Sequence, residues 1–148
     1  MATTSPIPSG FQRHQRRSGL TEPWEPIYIR HHQDGISLGI RASAGHTNSR
    51  GFVHGGLISA LADNAMGLSC AHGGAAGGLV TVSMSVDFVG AAQIGQWIEF
   101  RAQVTKRGQS LSFASALVRA DGSVCARASS VFKGLSKPAP AAENDNAR

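Results

Sequence analysis

The residues best placed to do chemistry lie in one stretch. Asn48-Ser49-Arg50-Gly51-Phe52-Val53-His54-Gly55-Gly56 leads into an apolar segment that carries one acid, Asp63. Residues 55 to 71 follow a helical pattern, and Asp63 is their only charged side chain. An exposed helical face normally carries several charges, whereas a helix nearly uncharged all round is usually buried all round. A lone carboxylate in such a place can serve as a general base. The start of the helix offers the complementary group. Its first N–H groups lack internal partners and sit at the positive end of the peptide dipoles. Gly55 and Gly56 remove side-chain bulk there, so a substrate oxygen can reach them. Such donors suit a carbonyl oxygen that turns negative when attacked, each lowering the barrier by about 3 kcal/mol. The plainer alternatives are a solvated helix face for Asp63 and a tight loop exit for the glycine pair.

The surrounding elements must hold these groups. On a helical wheel Leu57, Ile58, Leu61, Ala65 and Leu68 form one stripe, and Asp63 falls on the far side with Ser59, Met66 and Gly67. With one helix in one domain, covering that far side calls for another subunit or a substrate. Ahead of the helix, IYIRHHQDGISLGIRA reads as two short strands about a turn at Gln33-Asp34-Gly35, and residues 43–53 read as a polar loop. After it, HGGAAGG (72–78) ends the helix and four strands follow, over 79–89, 97–107, 110–120 and 123–133. The first places Val80, Val82, Met84, Val86 and Phe88 on one face, with Thr81 on the other. The second directs Ile98, Phe100, Ala102 and Val104 inward, and Asp121-Gly122 joins the last two as a hairpin. This order predicts an α+β fold with one helix against one face of an antiparallel sheet. Residues 1–22 read as an extended or disordered arm, 23–134 as the domain, and 135–148 as a disordered tail.

Composition narrows the function classes. The 148 residues suit one domain, with 41% hydrophobic and 16% charged side chains. The net charge of +5 could suggest nucleic acid, but Arg13, Arg16 and Arg17 lie in the first 20 residues, which contain no acid. From Glu22 to Gly134, nine Lys or Arg face seven Asp or Glu, which leaves +2 and no nucleic-acid partner expected. No apolar run is long enough to span a bilayer, and no secretory signal is visible. Cys70 and Cys125 sit in apolar patterns, so free thiols and a cytoplasmic location are expected. His31 and His32 would point to opposite faces of a strand, and His14, His46 and His72 lack ligand spacing, so no metal site is expected. There is no Gly-x-Ser-x-Gly elbow, phosphate loop or dinucleotide fingerprint. Trp24 and Trp97 read as packing anchors.

The array Asn48-x-x-Gly51-x-x-His54-Gly55-Gly56, followed after six residues by Asp63, resembles the signature of hot-dog-fold acyl-CoA thioesterases of the phenylacetate-degradation (PaaI) type. The similarity covers about residues 24 to 133 and includes the order of strands and helix. It implies a curved sheet wrapped round the helix, a homo-oligomer (dimer or dimer of dimers), and active sites between subunits. Asp63 of one subunit would face Asn48, His54 and Gly55 of the other. Asp63 would be general base or nucleophile, the Gly55 N–H would polarise the thioester carbonyl, and Thr81 would orient the water. His54 and Asn48 would position the thioester and hold the loop. Gly56, Arg50 and the segment Lys106-Arg107-Gly108 would meet coenzyme A, which enters as part of the substrate, with no other cofactor. Gln109 stands where the family often has a second Arg.

The expected activity is hydrolysis of a small aromatic or short- to medium-chain acyl-CoA to free acid and CoA. A non-catalytic acyl-CoA-binding protein on the same fold is the alternative. A hydratase would want an Asp/His pair at a spacing absent here. Ala65, Gly67 and Gly73 to Gly78 are the small residues expected near the acyl group.

Overall fold

A computed structural model describes residues 5–72 and 78–136. Its elements are β1 (Gln12–Arg13), β2 (Tyr28–His32), β3 (Gly35–Arg41), α1 (Gly55–Ala71), β4 (Leu79–Phe88), β5 (Trp97–Arg107), β6 (Leu111–Ala120) and β7 (Ser123–Gly134). Short 3-10 turns occupy Glu22–Trp24 and Ala44–His46. The strands form one antiparallel sheet in the order β1-β2-β3-β5-β6-β7-β4. Helix α1 packs against β3, β4, β5, β6 and β7. Among the described residues, no helix is long and apolar enough to cross a membrane.

Patterning places most of this. In β5, Ile98, Phe100 and Ala102 are fully buried against the helix, as their alternation predicts. Asp121 and Gly122 both take positive φ, 46° and 88°, which the tight β6–β7 hairpin requires. In the β2–β3 hairpin the loop is Gln33-Asp34, one residue earlier than the Asp-Gly pair suggested, because Gly35 already pairs with His32 as the first residue of β3. A side chain on Gly35 would run into the carbonyl oxygen of Ala102.

Two expectations fail for physical reasons. First, Met66 is fully buried and Leu68 only half-buried. The sheet embraces a wider sector of α1 than one stripe, taking in Leu57, Ile58, Leu61, Ala62, Ala65, Met66 and Ser69. Second, the β4 alternation breaks. Thr81 pairs with Phe132 but Ser83 with Val131, which leaves Val82 as a bulge. The extra residue puts Thr81 on the same face as Met84, Val86 and Phe88, while Val80 and Val82 are 45% and 56% exposed. The arm, for which both an extended and a disordered form were open, is anchored from Phe11 onward. Its β1 pairs with β2, and Phe11 packs edge-on against Trp97 with centroids 5.0 Å apart. Arg13 pairs with Glu25 at 3.2 Å, and the Thr21 side chain is buried.

Burial also sets a pH dependence. The pKa values of His14, His32 and His46 are lowered, in each case chiefly by desolvation. Folding therefore holds these rings neutral, whereas the unfolded chain protonates them below about pH 6.5. Their contribution is complete above that value and falls as the pH drops towards the lower folded values. Melting at about pH 5.5 should accordingly occur below that at about pH 7.5, with His46→Gln narrowing the gap. Equal melting temperatures would contradict the assignment.

Candidate active site

Helix α1 begins at the loop that Asn48 organises. The Asn48 Oδ1 accepts from the N–H groups of Arg50 (2.9 Å) and Phe52 (3.2 Å), and its carbonyl accepts from Gly51 at 3.0 Å. Gly51 takes φ +81°, a left-handed turn that suits glycine. Asn48 thus shapes the loop through its oxygen and keeps its amide hydrogens for other partners. His54 is the N-cap of α1, and its Nδ1 accepts from the Gly56 N–H at 2.8 Å. With Nδ1 accepting, the neutral ring carries its proton on Nε2. A Cβ on Gly56 would lie 3.0 Å from that Nδ1, so glycine lets the ring fold over the helix end.

The next donor is different. Among the described residues, nothing accepts from the Gly55 N–H. The Phe88 ring from β4 lies beside it, 3.1 Å from where a Gly55 Cβ would stand. Gly55 therefore presents an uncommitted N–H at the positive end of a 17-residue helix.

Asp63 lies on the half-exposed side of α1, and its Oδ1 accepts from the Thr81 Oγ at 2.8 Å. The β4 bulge makes this contact possible. The two groups share a cavity of about 270 Å³ with Arg16, Ser18, Gly67 and Phe132. Replacing Thr81 with Val should preserve the fold but free the carboxylate, and lower turnover by about tenfold if it is the base. Turnover that is unchanged in steady-state assays would show that Thr81 does not hold Asp63 for chemistry.

The carboxylate and the free donor do not meet within one chain. Asp63 stands eight helical steps beyond Gly55, which is a rise of about 12 Å. Asn48, His54, Gly55 and Gly56 cluster at one end, and Asp63 with Thr81 forms a second centre. Arg50 is exposed at the loop, and Lys106 is exposed on β5. Arg107 is otherwise engaged. Its guanidinium donates to the carbonyls of Ser69 (2.8 Å), His72 (2.9 Å) and Cys70 (3.4 Å). It satisfies orphan carbonyls at the helix C-terminus and opposes the dipole there, so it is not a free phosphate ligand. Gly108 turns the chain tightly into β6, where its N–H donates to the Leu111 carbonyl at 2.8 Å. Of the small residues expected near an acyl group, Ala65 is wholly buried in the core, and residues 73–77 lie outside the described residues.

Two side chains that the sequence did not assign to the site also line this region. Leu20 and Trp24 wall a second cavity, of about 520 Å³, beside His54 and Gly56. No periodic signal marks them, because the segment carrying them is irregular apart from one 3-10 turn at Glu22–Trp24. Among the described residues, no group of three or more His, Cys, Asp or Glu could hold a metal ion.

Comparison with known proteins bears on these features. Residues 50–126 match the model of the thioesterase superfamily. An esterase of provisional assignment from Pseudomonas aeruginosa is 37% identical over 128 residues, 85% of this chain and 96% of the relative. Human acyl-coenzyme A thioesterase 13 is 42% identical over 72 residues, 47% of this chain and 50% of that protein. Among solved structures, a Streptococcus mutans protein bound to acetyl-CoA superposes with a TM-score of 0.72 at 20% identity, covering 85% of this chain and 98% of the other. A mutant of the phenylacetic acid degradation protein PaaI of Thermus thermophilus gives 0.70 at 22% identity, covering 80% and 100%. The helix wrapped by one antiparallel sheet is thus the hot-dog fold, and the chain belongs to the thioesterase superfamily as a thioester hydrolase.

Proposed function

We propose that this protein hydrolyses acyl-CoA thioesters in sites that two subunits build together. The observation that carries this reading is the separation within one chain of an uncommitted helix-end donor, the Gly55 N–H, from a carboxylate held by Thr81. Neither centre alone can both polarise a carbonyl and activate water on it. A second protomer supplies the missing half. Strand β4 is a ten-residue edge strand with exposed Val80, Val82 and Phe88. Such an edge is a template for pairing with another chain. Antiparallel pairing of two β4 strands would continue the sheet and set the two helices side by side. Asp63 of one subunit would then approach Gly55 of the partner subunit.

In that arrangement the thioester carbonyl accepts from the free N–H, with the His54 Nε2–H near the same helix end. Asp63 takes a proton from water, and the water oxygen bonds to the carbonyl carbon. The carbon–sulfur bond then breaks, the thiolate leaves and is protonated, and the acid is released. Direct attack by the carboxylate would reach the same products through an acyl-aspartyl anhydride. A thioester is already activated, so the residues supply placement and charge stabilisation. Arg50 and Lys106 remain the exposed cations for the phosphates of coenzyme A.

The acyl-CoA thioesterase relative and the acetyl-CoA-bound structural neighbour support the substrate class. The test is thiol release from a panel of acyl-CoAs. Release that depends on Asp63 is expected, and a protein that binds acyl-CoA without releasing thiol would favour the binding-module alternative.

A further inference from the structure

The segment from His14 to Trp24 crosses the open side of α1 as a strap. It is tied at both ends. At one end the His14 N–H donates to the Ile27 carbonyl at 2.9 Å, and Arg13 pairs with Glu25. At the other, the Thr21 side chain is buried and Trp24 packs against the core. The ring of buried His46 joins the strap to the catalytic loop. Its Nδ1 accepts from the Ser43 N–H at 3.0 Å, and it shares a cavity wall with Trp24. Arg17 and Glu22 close the exposed part at 3.0 Å.

The strap walls both cavities beside the helix. Arg16 and Ser18 line the one that holds Asp63, and Leu20 and Trp24 line the one beside His54 and Gly56. The second cavity has no carboxylate, Lys or Arg in its wall, and Leu57 and Ala60 form its helix side. Thr47, His46 and His54 are its polar side chains, and it holds no fixed cation for the phosphates of coenzyme A. It does suit hydrocarbon, and at about 520 Å³ it falls within the ordinary range for small-molecule sites. It also opens at the helix end where the proposed site polarises the carbonyl.

We infer that the strap sets acyl specificity, with Trp24 and Leu20 forming the wall of a pocket for a medium-length hydrocarbon acyl tail. This assignment rests on the acyl-CoA hydrolase reading above. Leu20 is 63% exposed, an apolar side chain at the mouth that a bound tail would cover.

The experiment uses the full chain and straight-chain acyl-CoAs from acetyl to decanoyl. In the wild type, kcat/KM should rise by about fourfold per methylene that enters, the equivalent of about 0.8 kcal/mol per buried CH₂. Trp24→Ala should lower the octanoyl-to-acetyl ratio of kcat/KM by about tenfold or more, mainly through KM, and Trp24→Phe should recover most of it. A binding readout guards against a folding defect. In Asp63→Asn protein, octanoyl-CoA should shift tryptophan emission to the blue while acetyl-CoA does not, and Trp24→Phe should abolish the shift. A ratio untouched by Trp24→Ala, or emission indifferent to octanoyl-CoA, overturns the pocket while leaving the hydrolase standing. Absence of Asp63-dependent thiol release with every acyl-CoA would instead overturn the hydrolase reading, and the pocket with it.

Discussion

Asp63→Asn should lower turnover by about a hundredfold or more while leaving acyl-CoA binding largely intact. The substitution preserves shape and can keep the hydrogen bond from Thr81, since the amide oxygen still accepts. It removes the basic lone pair that takes a proton from water, and equally the nucleophile of the direct route. The effect should therefore fall on kcat, with the dissociation constant for a CoA thioester changed little. Unfolding is not a confounding cause, because Asp63 is half-exposed and its described side-chain partner is the Thr81 hydroxyl. Steady-state thiol release beside a direct binding titration separates the two quantities. Equal turnover in both proteins would remove Asp63 from the chemistry.

Gly55→Pro should produce a loss of comparable size for the opposite reason, since it deletes the donor. Proline is favoured at the first position of a helix, where its missing N–H had no internal partner. His54, with φ −67° and ψ 132°, already has the extended backbone a residue before proline needs. The substitution thus removes one hydrogen atom from the proposed oxyanion site with little strain on the helix. A loss of about 10²- to 10³-fold in kcat is expected. The ring carbons would crowd Phe88, because a Cβ at Gly55 stands 3.1 Å from its Cζ. Gly55→Ala adds the same Cβ but retains the N–H, so it reports the crowding alone and should lose far less. If the Ala and Pro proteins are equally impaired, the N–H has no special role and the defect is steric.

Much of the arrangement was legible in the residues. Helix α1 has the expected bounds because glycines and a polar loop mark its start and its apolar run has one period. The strands after it follow from alternation, and Asp121-Gly122 marks its hairpin because few other pairs tolerate two positive φ values. The spacing from Asn48 to Asp63 named the two centres that the structure then separates. Other features leave no periodic trace. A bulge adds one residue without changing composition, so Thr81 read as facing away from Met84 although both face the helix. Met66 fell on the far side with Asp63 because the wheel assumed a narrow stripe, whereas several strands surround α1. Arg107 looked like an anion ligand because charge in a turn says nothing about the helix end that folding brings beside it. The strap stayed open between extended and disordered because it is held by separated anchors, Phe11 on Trp97 and buried Thr21, rather than by a repeating face.

The claim beneath the whole account is that each site takes its base and its carbonyl donor from different chains. Subunit complementation tests it most directly. Asp63→Asn and Gly55→Pro proteins, each nearly inactive alone, would be co-expressed with different tags and the mixed species isolated or assayed together. If sites form across the boundary, a mixed dimer carries one site with both defects and one with neither. An equal mixture should then regain about a quarter of wild-type activity. If the two groups act within a single chain, every protomer in the mixture lacks one of them. Activity that stays at the level of the separate variants, with mixed dimers present, would contradict the account.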